Sequence, residues 1–207
     1  MKTRFLISLF LLFFLFTHVH AIYFEKKDTI NTKTLNGEWK FRLTTQNNAL
    51  IDSFYSPTFP VDEWANIDVP SNWEMKGFEE PHYFFPDKEP VGLYVKSFTI
   101  PESWKDREVM IHFEGVSFGY ELFLNGHSIG SFESAFQPAQ FLLTGHIHRD
   151  EENKLAVKVY KNHPETRFDC NDAWALSGIY RDVYLFSPSD IHMEDITLQT
   201  PLHKNGS

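Results

Sequence analysis

The sequence predicts an all-β protein, and three observations support that class. Aromatic residues make up 16% of the chain, with 21 Phe, 8 Tyr and 5 Trp, and such residues favour strands. Apolar and polar residues alternate over many short runs, as they do in half-buried strands. Turn residues separate these runs at intervals of roughly 10 to 15 residues, which is typical of a β-sandwich.

The predicted strands follow one another along most of the chain, and several of them end at a glycine or a proline. They are residues 38–43, 94–100, 108–114, 119–124, 127–130, 154–160, 179–186 and 190–200. Asn125-Gly126 lies between two of these runs and predicts a tight hairpin, because both turn positions need a positive φ. The long connections at 44–68 and 77–92 are rich in proline and aromatic residues, and we expect them to bind a ligand or cover an edge.

The first residues predict export. Lys2 and Arg4 precede an unbroken apolar run over residues 5–16, and small Ala21 follows it. This is the pattern of a secretory signal peptide over residues 1–21. A membrane anchor, the alternative, needs roughly 20 apolar residues. We therefore expect cleavage before Ile22 and a secreted or periplasmic protein.

Charge and cysteine content exclude some functions. The net charge is −9 and no run of lysine or arginine occurs, so nucleic acid is not an expected partner. Cys170 is the single cysteine and cannot form an internal disulfide. Nothing in the sequence places a base beside it, so it is not predicted to be a nucleophile.

No complete catalytic or metal motif is present, neither a nucleophile elbow nor a paired-histidine zinc signature. His146 and His148 would share one face of a strand, but two ligands do not make a metal site. Their surroundings predict a polar turn instead. Glu79-Glu80 similarly predicts a solvated turn. We expect no catalytic residue in this chain.

The segment over residues 167–183 is the candidate ligand site. Asp169, Asn171 and Asp172 precede Trp174, and Ser177-Gly178 breaks the chain before the next strand. Carboxylates accept hydrogen bonds from sugar hydroxyls, and an indole face covers the C–H surface of a sugar ring. The alternative is a loop whose tryptophan lies in the core and whose carboxylates face water. Spacing alone leaves both interpretations open.

Seven motifs occur in a fixed order between residues 35 and 200. They are LNGEWKF at 35–41, VPSNWEMKG at 69–77, PVGLY at 90–94, FEGV at 113–116, LNG at 124–126, NKLAV at 153–157, and DAW with SGIYRDV at 172–183. This order resembles the amino-terminal part of β-galactosidases of glycoside hydrolase family 2. Related β-glucuronidases and β-mannosidases share the hairpin, but DAW ahead of SGIYRDV is more similar to the β-galactosidase branch.

The resemblance implies a jelly-roll β-sandwich, similar to galactose-binding domains, as the first of several domains. An immunoglobulin-like sandwich and a TIM barrel with two catalytic glutamates would follow it. The expected organisation is a signal peptide at 1–21, the jelly roll at 22–187, and a linker with the first strand of the second sandwich at 188–207. A barrel needs about 250 residues, so we expect the catalytic glutamates outside this chain.

The resemblance also implies site residues and partners. Asp172 would contact galactose hydroxyls and, in some members, a sodium ion, since hard cations prefer oxygen. Trp174 would either contact the sugar or pack beneath the loop. Magnesium is implied for the full-length enzyme. The implied partners are a galactoside and the remaining domains of the enzyme.

Two departures from the family pattern affect the site. The family carries an asparagine that touches the sugar after the position of Tyr83, whereas Phe84-Phe85-Pro86 stand here and the excursion is shorter. Cys170 and Asn171 replace an acidic–amide pair before Asp172. Half of the expected pocket therefore lacks its family residue.

Three hypotheses follow. The first is a non-catalytic sugar-binding part of a secreted β-galactosidase that hydrolyses terminal β-galactosides. The second is a free-standing carbohydrate-binding module, since a fold does not fix a function. The third is a domain with a purely structural role in assembling a larger enzyme.

Overall fold

The structure is a computed structural model that describes residues 29–83, 90–163, 169, 172–189, 191–192 and 196–200. The regular elements in this part of the chain are β-strands and short 3₁₀ helices, with no α-helix. The strands are β1 (Thr32–Thr34), β2 (Gly37–Thr45), β3 (Ala65–Val69), β4 (Pro90–Phe98), β5 (Met110–Phe113), β6 (Val116–Ser117), β7 (Gly119–Leu124), β8 (His127–Phe132), β9 (Ala139–Leu142), β10 (Asn153–Tyr160), β11 (Gly178–Ile179) and β12 (Val183–Phe186). The 3₁₀ helices are Ala49–Asp52, Glu74–Lys76 and Glu102–Trp104.

Two antiparallel sheets form the body of the domain. One has the strand order β1-β12-β5-β9, and the other has the order β3-β2-β4-β10-β7-β8. A single buried cluster joins their inner faces, with Trp39 and Val157 from the larger sheet and Ile111 and Leu185 from the smaller one. The short pair β11-β6 closes one end. The predicted all-β jelly-roll sandwich is confirmed.

The long connection after β2 covers the outer face of the six-stranded sheet. Phe54 and Trp64 of this connection are buried against Leu93, Val95 and Phe123. As a result, β4 is buried on both faces over most of its length. The connection therefore covers a face of the sheet. The strand β3 follows it and pairs with β2 at the edge of the same sheet.

The Asn-Gly hairpin forms as predicted between β7 and β8. Asn125 and Gly126 have φ values of 51° and 88°, which are the positive values that this turn requires. The Asn125 side chain donates to the carbonyl of His146 and to Asn153 Oδ1, both at 2.8 Å. It also accepts from the Lys154 amide at 2.9 Å. The turn is therefore tied to β10 by its own side chain.

The predicted strand at 179–186 is two strands with a break between them. Arg181 N–H donates to the Gly115 carbonyl at 3.3 Å, and Asp182 Oδ1 accepts from Asn36 Nδ2 at 2.9 Å. The Glu114 amide also donates to the Asp182 carbonyl at 3.0 Å, so residues 181–182 stay hydrogen-bonded to residues 114–115 although the regular ladder is interrupted. Four short strands were not predicted, namely β1, β3, β6 and β9.

Two segments flank the predicted jelly roll, namely the predicted signal peptide and the predicted first strand of a second sandwich. The predicted signal peptide at 1–21 lies outside the described residues. Residues 191–192 and 196–200, within the predicted first strand of a second sandwich, contain no strand, and Ile196 and Leu198 are exposed. The boundaries at 21 and 187 stay predictions. No helix in the described ranges has the length and apolar character to span a membrane.

Candidate functional site

Two segments that are distant in sequence meet at one end of the sandwich. One leads from the 3₁₀ helix Glu74–Lys76 to Tyr83, and the other runs from Asp172 into β11. The Ala175 amide donates to the His82 carbonyl at 2.9 Å, and the Trp73 amide donates to the Ser177 carbonyl at 3.1 Å. The two segments therefore form one surface.

Asp172 and Trp174 lie together on this surface, as the motif predicted. The Tyr83 hydroxyl donates a hydrogen bond to Asp172 Oδ1. The ring of Tyr83 meets the indole of Trp174 edge to face, with 5.7 Å between the centroids and 89° between the planes. Tyr83, which carried no role in the sequence interpretation, is thus the third member of the site.

Trp174 is exposed. The structure describes all five tryptophans, and four of them are buried whereas Trp174 is 57% exposed. The alternative in which this tryptophan is tucked into the core is therefore wrong. An exposed indole beside a carboxylate offers an apolar platform and hydrogen-bond acceptors at the same place, which is the combination that a sugar ring requires.

The backbone helps to present Asp172. Its φ is 57°, in the left-handed region that aspartate tolerates better than most residues. The side chain is exposed and retains acceptor capacity beyond the Tyr83 bond, because a carboxylate offers about four lone-pair sites. The hydrogen bond to Asp172 is the main cause that raises the pKa of Tyr83 above 10.0, and desolvation adds to it. Tyr83 therefore stays a neutral donor at physiological pH.

A buried ionic cluster lies beneath the two segments. Lys161 Nζ is 2.7 Å from Glu74 Oε1 and 2.7 Å from Glu79 Oε2. The predicted solvated turn at Glu79-Glu80 is wrong for Glu79, whose side chain is only 16% exposed, while Glu80 is exposed. The reason is that Glu79 is held inward by hydrogen bonds from Lys161 Nζ at 2.7 Å and from Trp73 Nε1 at 3.1 Å.

Sequence reasoning missed Lys161, although a signal was available. Side chains two apart share one face of a strand. Leu155, Val157 and Val159 of β10 face the core, and the same alternation places Lys161 inward. A lysine in register with a buried apolar face indicates a buried cation that needs acidic partners.

The remaining candidates do not join the site. The His146 ring lies beside that of His127 with 4.8 Å between the centroids, in the turn after β9 and not in the segments of Tyr83 or Asp172. The described ranges hold no group of three or more metal-ligating side chains. Asp169 accepts from the Ala135 amide at 2.8 Å, so it stabilises a neighbouring loop. Cys170 and Asn171 lie outside the described residues.

A β-sandwich with an exposed aspartate–tryptophan loop has the architecture and the surface chemistry of carbohydrate-binding domains. Residues 32–188 match the family described as glycosyl hydrolases family 2, sugar binding domain. The chain belongs to this family.

Similar proteins with curated names agree with this assignment. A β-galactosidase of Priestia megaterium is 33% identical over 198 residues, which cover 87% of this chain and 19% of that protein. A β-galactosidase of Vibrio cholerae is 34% identical, with 83% of this chain and 18% of that protein covered. The chain thus spans about a fifth of the length of these relatives.

Solved structures show the same fold. Bacteroides uniformis β-glucuronidase 2, covalently bound to cyclophellitol-6-carboxylate aziridine, matches with a TM-score of 0.64 at 25% identity, over 75% of this chain and 18% of that one. A β-glucuronidase from an uncultured Clostridium matches with a TM-score of 0.64 at 23% identity, over 86% of this chain and 32% of that one.

Proposed function

We propose that this chain is the sugar-binding, non-catalytic part of a β-galactosidase. The observation that carries the proposal is the pairing of Asp172 with exposed Trp174 on a loop fixed by Tyr83. The two β-galactosidase relatives support the choice of sugar. In the full-length enzyme, two carboxylates of a separate barrel would hydrolyse terminal β-galactosides with retention of configuration.

Each residue of the site has a distinct role in this proposal. The Asp172 carboxylate accepts hydrogen bonds from the hydroxyls of the galactose ring. The Tyr83 hydroxyl fixes the rotation of that carboxylate, and the Trp174 indole lies against the C–H surface of the sugar. A negative Asp172 also disfavours an acidic sugar such as a glucuronide, because like charges repel at short range.

Sodium is the proposed ion at this site. Asp172 and Tyr83 provide carboxylate and phenol oxygens side by side, and hard cations prefer oxygen ligands. Sodium bound there would neutralise part of the carboxylate charge and leave the remaining oxygen for sugar hydroxyls. Magnesium is proposed only for the full-length enzyme.

Export and assembly complete the proposal. The signal peptide at residues 1–21 would direct the chain to the periplasm or the cell exterior, where the remaining domains of the enzyme are its partners. Detection of a mature protein beginning at Ile22 in the culture fluid or periplasm tests export. Recovery of the intact chain in the cytoplasm would contradict it.

The decisive experiment compares Asp172→Asn with Asp106→Asn in the full-length enzyme. Asp106 is also exposed and contacts neither Tyr83 nor Trp174. We expect Asp172→Asn to lower kcat/KM for a nitrophenyl β-galactoside by at least about tenfold, while Asp106→Asn leaves it unchanged. Equal activity of the two variants would favour the purely structural hypothesis. The chain alone should release no nitrophenol.

A second candidate function, a carbohydrate-binding module that acts alone, is favoured by one observation. The rings of Tyr83 and Trp174 are both exposed and lie edge to face, so they can cover one face of a sugar ring. This candidate requires the isolated chain to bind methyl β-galactoside in the millimolar range. Titration calorimetry with methyl β-galactoside and with methyl β-glucuronide measures both the affinity of the chain and its preference between the two sugars. Absence of heat with either sugar contradicts it.

A further inference from the structure

The ionic cluster of Lys161, Glu74 and Glu79 lies directly beneath the candidate sugar site. Lys161 follows β10 and is completely buried, and so is the side chain of Glu74. Two carboxylates share this one lysine, so its ammonium group alone cannot satisfy all four of their oxygens. Such a cluster persists only where further donors satisfy the carboxylate oxygens.

Those further donors come from the segments that form the site. Both oxygens of Glu74 accept from the Ser177 amide, at 3.1 and 2.9 Å. Glu79 Oε2 accepts from Trp73 Nε1 at 3.1 Å. Ser177 belongs to the same loop as Trp174, and Glu79 belongs to the segment that ends at Tyr83. Glu74 therefore bonds across to the loop of Trp174, whereas Glu79 bonds back to the start of its own segment.

Lys161 holds the two carboxylates together. It donates to both at 2.7 Å, so it fixes Glu74, which binds the loop of Ser177, relative to Glu79 on the segment that ends at Tyr83. Apolar side chains of similar volume stabilise an interior equally well or better. They lack the directional bonds that define one separation between two loops.

We propose that Lys161, Glu74 and Glu79 are positioning residues that set the separation between Tyr83 and the loop of Asp172 and Trp174. The cluster touches no sugar and acts through these loops. Its role in sugar affinity rests on the proposed function, whereas its role in loop geometry does not.

The test uses Glu79→Gln, with Glu80→Gln as its matched control. The amide side chain keeps an acceptor for Trp73 but removes the charge that faces Lys161. Glu80 is the adjacent, exposed glutamate. Chains labelled with 5-fluorotryptophan report the surroundings of Trp174 directly, and a Trp174→Phe variant assigns its fluorine resonance.

We expect Glu79→Gln to shift the Trp174 resonance and to speed hydrogen exchange of the Ala175 amide by on the order of tenfold. Glu80→Gln should change neither. The Trp174 resonance reports the native state itself. Exchange of the Ala175 amide is compared with that of the core amide of Val157, because a uniform loss of stability would speed both. Identical Trp174 resonances and Ala175 exchange in the two variants would overturn the proposal.

Two further measurements separate the possible failures. Affinity for methyl β-galactoside should fall about five- to tenfold in Glu79→Gln and stay unchanged in Glu80→Gln. If the wild-type chain binds no galactoside while the Trp174 resonance of Glu79→Gln still differs from that of the wild type, the positioning role stands and the sugar function fails.

If Glu79→Gln does not fold, Glu79→Asp is the substitute variant, because it keeps the charge but withdraws it by one methylene. A folded Glu79→Asp with the wild-type Trp174 resonance would then contradict the proposal.

Discussion

The Tyr83 hydroxyl donates a hydrogen bond to the Asp172 carboxylate, although the two residues are 89 positions apart in the sequence. The same tyrosine packs edge to face on Trp174. One residue therefore orients the acceptor and supports the aromatic platform of the candidate site. The hydroxyl and the ring of Tyr83 can be separated by substitution, and each makes a different prediction.

Removing only the hydroxyl should weaken sugar binding without disturbing the aromatic pair. Tyr83→Phe keeps the ring beside Trp174 but leaves Asp172 without its orienting donor. A net hydrogen bond contributes about 1 kcal/mol, so we expect an affinity for methyl β-galactoside about fivefold lower. Calorimetry measures this change. The control is Tyr55→Phe, because Tyr55 stacks on Phe123 in the cluster on the outer face of the six-stranded sheet. Equal affinities of the two variants for methyl β-galactoside would contradict the role assigned to the Tyr83 hydroxyl.

The same bond predicts a change in the titration of Tyr83. Its pKa is raised above 10.0 chiefly by the hydrogen bond to Asp172. The carboxylate favours the neutral phenol, since a phenolate would lose the bond and gain a repulsive neighbour. Asp172→Asn should therefore lower the pKa of Tyr83 towards 10. Carbon-13 NMR of the tyrosine Cζ atoms measures it, and Asp106→Asn should leave the value as in the wild type.

Much of the fold could be predicted because its signals are local. The apolar run over 119–124 coincides with β7, and Asn125-Gly126 specifies the turn through its own φ preferences. Three edge strands, β1, β3 and β9, were not predicted in this way, whereas the edge strand β8 was. β1 exists because Thr32–Thr34 pairs with residues 184–186 of β12, and its three residues carry no periodicity that distinguishes them from a loop.

The residues of the candidate site also differ in whether a local sequence pattern could identify them. Asp172 and Trp174 are two residues apart, so a sequence motif could identify them together. Tyr83 joins them only through the fold, and Glu79 next to Glu80 is indistinguishable from a solvated turn until Lys161 is placed inside. The pairing of Lys161 with Glu74 and Glu79, which are distant in the sequence, therefore could not be predicted from any local pattern. The inward register of Lys161, directly after β10, was the available indication.

The opening motif should carry a large share of the stability through Trp39. This side chain is 1% exposed, and its Nε1 donates to the Leu35 carbonyl at 2.8 Å. Trp39→Ala should cost about 3–5 kcal/mol in the free energy of unfolding, because it removes a large buried side chain. Urea denaturation measures this loss. Trp174→Phe, at the exposed site, should stay within about 0.5 kcal/mol of the wild type, and a comparable loss in both variants would contradict the burial difference.

Gly178 should be essential for the shape of the site loop. Its φ is 121°, a conformation that residues with a Cβ rarely adopt. A Cβ there would lie 2.8 Å from the Tyr94 hydroxyl and 2.9 Å from the Ser71 carbonyl oxygen. The backbone strain alone costs about 1–3 kcal/mol, and the loop can relieve the clash only by moving away from Ser71.

We therefore expect Gly178→Ala to lower the free energy of unfolding by at least about 2 kcal/mol. Any folded fraction should have a displaced Trp174 and a weaker affinity for galactoside. The matched control is Gly145→Ala, since a Cβ at Gly145 meets no atom within 4 Å and this glycine is exposed. Urea denaturation and acrylamide quenching of Trp174 fluorescence measure the two effects. If Gly178→Ala matched Gly145→Ala in both, the turn at Gly178 would not hold the loop in place.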